Sequence, residues 1–181
     1  GSEMCIRDSY LADHQSHGRG RGNNRWTQEG QGQCLLSTWS FRLPQAPQPI
    51  LAPLVGLALF HALEGFQVQN PIRMKAPNDI YIGDAKLSGL LIESLQGSPW
   101  EVHIGLGLNT SASPQVPEQK TTHLSYHDSQ WDKRWFGFCE ALYQNLKEAT
   151  TKGSKSKLSS GDQKQLLQAL NQGLSKDEQY Q

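Results

Sequence analysis

The residues best suited to chemistry are glycines and cations set side by side. GRGRGNNRW, residues 18–26, packs three glycines and three arginines into nine positions, with no apolar side chain before the closing Trp26. Such a segment cannot build a core. Its glycines let the backbone fold closely over a ligand and present N–H groups to it. Arg19, Arg21 and Arg25 add guanidinium forks that match phosphate or carboxylate. The expected device is a loop that orders over an anion.

Two further stretches point the same way. In RMKAPNDIY, Lys75 ends a strand-like run just before a Pro-Asn-Asp turn, where a compact cation suits a carboxylate or phosphate. GLGLN, residues 105–109, places Gly105 and Gly107 in a strand that ends at Asn109. That pattern permits close backbone approach beside an amide. It is no dinucleotide fingerprint, because no third glycine opens a helix. Each stretch alone has a plainer alternative: a basic linker or single-strand RNA contact, a surface lysine beside a turn, a β-bulge.

Other chemistries find no support. The six histidines show no metal-ligand spacing, and no GxSxG nucleophile elbow occurs. The three cysteines, Cys5, Cys34 and Cys139, cannot all pair and form no CxxC, which suits a reducing compartment. Seventeen basic residues balance seventeen acidic ones, so the surface as a whole is not built for nucleic acid or membrane. The longest apolar run, residues 50–66, is broken by Pro53, His61 and Glu64 and reads as a buried helix, not a membrane span.

The positioning elements follow from periodicity. Residues 1–9 do not read as the start of a folded element and are set outside the fold as an assembly scar. Tyr10 begins a short strand end. Residues 32–43, 86–95 and 100–111 read as strands, residues 72–83 as a strand broken by Pro77 and then a second short strand, with a turn at Gly83-Asp84 making a hairpin. Residues 128–149 carry Trp131, Trp135, Phe138, Leu142, Tyr143 and Leu146 on one helical face. Residues 151–161 read as a solvated linker before a short amphipathic helix. The expected class is α+β: a mixed, largely antiparallel sheet flanked by helices.

Together the motifs resemble the biotin protein ligase catalytic domain. The order GRGRGNNRW, K-A-PNDI, KLSGLLIE and GLGLN follows that family's GRGRxGRxW, KWPNDI, KLaGILvE and GIGiN, over residues 10–109. The resemblance implies a catalytic domain over residues 10–150, related to class II aminoacyl-tRNA synthetases and lacking its first strands. The family's small C-terminal β domain is not evident in residues 151–181, which read as a linker and short helix. The resemblance also implies biotin–[acetyl-CoA-carboxylase] ligase chemistry with ATP and Mg2+: biotin is activated as biotinyl-5'-AMP, then passed to a lysine of a biotin carboxyl carrier domain. Lys75 and Arg21 would be catalytic. Gln15, Arg19 and Trp26 would contact biotin or the adenylate, with Gly18, Gly20, Gly89, Gly105 and Gly107 at close-approach positions. Asn109 would lie near the nucleotide; no metal ligand is assigned. A cytoplasmic location without membrane or nucleic-acid partners is implied, and a homodimer is compatible. The sequence departs from the pattern at His17, Asn23, Asn24 and Ala76, and the family's Ser-Thr-Asn element is not found before Tyr10. Alternative readings are a lipoate or octanoate ligase or transferase of the same fold, or a non-catalytic Arg/Gly-loop binding module.

Overall fold

In a computed structural model the described residues are 6–20, 22, 25–76, 78–155, 157–172 and 179. Six strands form one antiparallel sheet in the order β1-β2-β6-β5-β4-β3. They are β1 (Ile6–Ala12), β2 (Cys34–Leu43), β3 (Ile72–Lys75), β4 (Asp79–Ile82), β5 (Ala85–Leu95) and β6 (Trp100–Asn109). The helices are α1 (Leu51–Leu63), α2 (Leu124–His127), α3 (Trp131–Gly153) and α4 (Ser160–Asn171). The α+β expectation is met.

Alternation along β6 explains the two faces of the sheet. Val102, Ile104, Leu106 and Leu108 point one way and are at most 3% exposed. Their partners Phe41, Leu90 and Ile92 share that face, and the apolar side chains join α1 and α3 in one core. The opposite residues are Glu101, His103, Gly105, Gly107 and Asn109. One face therefore drives folding by burial, and the other is left for function.

Helix α1 is buried along most of its length, as the apolar run predicts, with Pro53 in its first turn where the missing N–H costs no bond. His61 is exposed and pairs with Glu64 at 2.7 Å. Helix α3 buries Phe138, Leu142 and Leu146. It also continues through the expected boundary at residue 150. A Cβ on Gly153 would stand 2.5 Å from Leu51 Cδ1, so this glycine marks a close crossing of α1 and α3 and is no linker residue. Ser154, also buried, follows it. Ser159 caps α4, accepting from the Asp162 N–H at 3.2 Å.

Two more expectations change. Strand pairing begins at Ile6, opposite Phe41, so residues 6–9 belong to the sheet rather than lying outside it. Helix α2 was not anticipated, being only four residues long. Among the described residues, no helix is long and apolar enough to cross a membrane.

Candidate functional site

The open face of the sheet carries a cavity of about 480 Å³ under the Gly/Arg loop. One register row crosses it. Lys75 stands opposite Asp79, Asp79 opposite Gly89, Gly89 opposite Gly107, and Gly107 opposite Leu36. The row has cation and carboxylate at one end, bare backbone in the middle and apolar surface at the other.

A bulge completes the cationic end. On β4, Ile80 pairs with Ser88 but Tyr81 pairs with Lys86, so Leu87 is the extra residue. Strict alternation would place Lys86 and Gly89 on opposite faces. The bulge brings both to the cavity, where Lys86 Nζ lies 2.9 Å from Asp79 Oδ1. The backbone of Lys86 is fixed as well: its N–H donates to Lys120 O at 2.8 Å, and its carbonyl accepts from the Thr122 N–H at 2.9 Å. Lys75 is exposed at the rim, with Nζ 5.8 Å from the Tyr81 ring centroid. The turn between them is pinned by Asn78, whose Nδ2 donates to Leu90 O at 2.7 Å and whose carbonyl accepts the Leu90 N–H at 2.9 Å.

The Gly/Arg loop folds back on itself. Trp26 N–H donates to Gly18 O at 3.1 Å, and Arg19 bridges to Arg25. Trp26 lays its indole on the glycine pair: a Cβ on Gly107 would stand 2.4 Å from Trp26 Cε2, and one on Gly89 would stand 3.2 Å from Cζ3. The indole N–H is buried without a full hydrogen bond. The nearby Cys34 thiol is only a weak acceptor, and this contact offsets part of the rise that burial imposes on the Cys34 pKa. Farther along, Arg19 Nη2 pairs with Glu93 Oε2 at 2.9 Å.

Of the expected residues, Gln15, Arg19, Gly20, Trp26, Lys75, Gly89, Gly105 and Gly107 line the cavity. Gly18 is buried behind it at the base of the loop. Arg21, Asn23, Asn24 and Pro77 lie outside the described residues. Asn109 is 2% exposed and does not line the cavity. Its Nδ2 donates to Thr122 O at 3.0 Å, and Thr122 in turn holds Lys86, so Asn109 supports the site from behind. Register is continuous through residues 105–109 with β2 and through residues 105–108 with β5, which removes the bulge alternative there.

The sequence reading left out Lys86, Asp79, Glu93 and the His103–Ser40 pair, joined at 2.8 Å. For Lys86 and Glu93 the KLSGLLIE block was the available signal. His103 had none, since its neighbour Ser40 is known only from strand register. Among the described residues, no three His, Cys, Asp or Glu side chains gather to hold a metal ion.

An antiparallel sheet whose bare-glycine face is roofed by a basic loop defines an α+β domain of the class II synthetase-like kind. The chain belongs to the biotin/lipoate A/B protein ligase family, whose sequence profile matches residues 7–109. Over 111 residues it is 32% identical to the bifunctional ligase/repressor BirA of Escherichia coli, spanning 59% of this chain and 34% of that protein. It is 31% identical over 119 residues to the biotin–[acetyl-CoA-carboxylase] ligase of Mycobacterium tuberculosis, spanning 63% of this chain and 43% of the relative. The chain thus spans under half the length of these relatives. Among solved structures, it is similar to the Aquifex aeolicus biotin protein ligase in complex with biotin and ATP. The TM-score is 0.60 at 28% identity, over 83% of this chain and 65% of that one. The Leishmania major enzyme with biotin shares the fold at TM-score 0.67 and 22% identity, over 96% of this chain and 73% of that one.

Proposed function

We propose that this chain performs ATP-dependent ligation of biotin to a lysine of a biotin carboxyl carrier domain, that of acetyl-CoA carboxylase, in the cytoplasm. A biotin carboxylate oxygen attacks the α-phosphorus of ATP. The bond from that phosphorus to the bridging oxygen breaks, and pyrophosphate leaves. The carrier lysine then attacks the acyl carbon of biotinyl-5'-AMP, the acyl C–O bond breaks, and AMP leaves with the amine proton lost to solvent.

The observation that carries this reading is the placement of Lys75, Lys86, Arg19 and Arg25 around one cavity beside bare glycine backbone. Two anions must meet in the first step, and fixed cations lower that repulsion without reorganising. Lys75 and Lys86 would hold carboxylate and phosphate at the β3–β5 end. Arg21 and Arg19 would bind the adenylate from the loop, and Gln15 and Gly105 would border biotin. Loop closure would exclude water from a reactive mixed anhydride. Magnesium fits as an ion carried in by the nucleotide, because such ions are held largely by substrate phosphates, and both Asp79 and Glu93 already face cations. It would neutralise phosphate charge.

The family name also covers lipoate, so the test has two arms. A biotin carboxyl carrier domain is incubated with protein, biotin and MgATP, beside a lipoyl domain with lipoate, and both are weighed intact. A biotin-sized gain on the carrier domain alone is expected. A gain on the lipoyl domain alone would overturn the assignment to biotin.

A further inference from the structure

The bare backbone at the middle of the cavity has an occupant from the chain itself. Gly107 and Gly89 face each other across β5–β6, and the Trp26 indole covers both. We infer that Gly107, supported by Gly89, is a positioning residue that acts through Trp26: it is the seat that fixes the C-terminal end of the Gly/Arg loop over the cavity. This goes beyond the assignment of these glycines to ligand approach, and it rests on the proposed site only for its effect on turnover.

Three observations carry it. A Gly107 Cβ would meet Trp26 Cε2, Cζ2 and Cδ2 at 2.4, 2.6 and 2.8 Å, distances no real Cβ tolerates. The obstacle is a rigid ring, not the free end of a flexible chain, so the ring must leave for a methyl group to enter. Trp26 is also the residue whose N–H closes the loop on Gly18 at 3.1 Å. Displacing the indole therefore opens the loop at its base. Gly105 supplies the contrast. It lies on the same strand face two residues away, yet its Cβ would meet Leu91 O and Leu91 Cβ at 3.5 and 3.7 Å, which is ordinary contact.

The test reads the loop directly. Trypsin cuts after arginine, so cleavage within residues 18–26 of the full chain, followed by mass spectrometry, reports how often the loop opens. Gly107→Ala is expected to raise cleavage roughly tenfold, and Gly105→Ala to leave it at the parent rate. In a Trp26→Leu background, which opens the loop by itself, Gly107→Ala should add nothing, because the clash is gone. Should Gly107→Ala fail to fold, Gly89→Ala is the milder probe. Its Cβ would meet the ring edge at 3.2 Å, with Asp79 Oδ1 and Lys86 Cε in ordinary contact at 3.5 Å, and a rise of about threefold is expected. Equal cleavage of the Gly107 and Gly105 variants, or a Gly107→Ala effect that persists without Trp26, would overturn the assignment; with Gly89→Ala, cleavage at the parent rate would do so. Biotinyl-adenylate formation is followed in parallel, and the Gly107 variant should raise KM for biotin and ATP more than it lowers kcat. A parent protein that makes no adenylate but shows the expected cleavage pattern would sink the proposed reaction and leave the seat standing.

Discussion

The Lys86 ammonium lies 2.9 Å from the Asp79 carboxylate, and both groups line the cavity that Lys75 borders from its rim. Lys86 is held by that carboxylate and by backbone bonds to residues 120 and 122, so its charge is preorganised. Lys75 is exposed. Lys86→Ala is therefore predicted to cost about a hundredfold or more in kcat/KM for adenylate formation, with a smaller loss for Lys75→Ala. Pyrophosphate release measures both. An equal or larger loss at position 75 would return the main role to Lys75.

Cys34 is predicted to be slow toward alkylating reagents near neutral pH. Burial pushes its thiol up, and the thiolate is the reactive form. Trp26→Ala removes the indole beside it and should speed labelling. Iodoacetamide uptake by the Cys34 peptide, followed by mass spectrometry, reads this. Identical rates in the two proteins would show that the indole does not shield the thiol.

Acid should destabilise the fold in two stages. Burial lowers the pKa of His123 and of His127, which His123 lowers further. Their contribution is complete above about pH 6.5 and declines below it, because the unfolded chain then binds more protons. Burial pushes the Asp128 carboxyl up, but N–H bonds from Gln67 and Gln130 and the Arg134 charge outweigh this and hold it below the usual range. Lys152 and Ser159 hold Asp162 low likewise. Their stabilisation is complete above about pH 4 and is lost as pH falls through the lowered values. Urea midpoints across pH 3–8 follow both stages. Asp128→Asn should flatten the lower one and cost about 1–3 kcal/mol at pH 7.

Gly153→Ala sets two effects against each other. Alanine gains about 1 kcal/mol of helix propensity, while overpacking costs about 1–3 kcal/mol. The added Cβ would meet not only Leu51 Cδ1 but also Leu51 Cα at 3.1 Å, so a rotamer change cannot clear it. The crowding should prevail and lower the melting temperature. A higher melting temperature would show that α1 and α3 can move apart freely.

What the sequence made legible was chemistry that is local. The Gly/Arg loop, the Lys75 turn and GLGLN each hold their functional types within a few residues. Lys86 stayed hidden because a bulge, not alternation, puts it on the cavity face. The role of Gly107 depends on a tryptophan far away in sequence. Strand β1 was cut short because its residues alternate poorly: Tyr10 and Leu11 are 60% and 75% exposed on an edge strand. The end of helix α3 stayed hidden because the Thr, Lys, Gly and Ser composition there reads as a solvated linker; α3 runs on to Gly153, where close packing on Leu51 draws the segment into the core.

The bulge at Leu87 also sets which insertions and deletions the gene can accept. Removing Leu87 would leave Lys86 and Gly89 two positions apart, so plain alternation would keep both on the cavity face, and the loss would fall on the buried Leu87 side chain instead. Extra residues at the Gly83-Asp84 turn would only lengthen an exposed tip. Length variation in this hairpin should therefore collect at the turn and spare the buried Leu87.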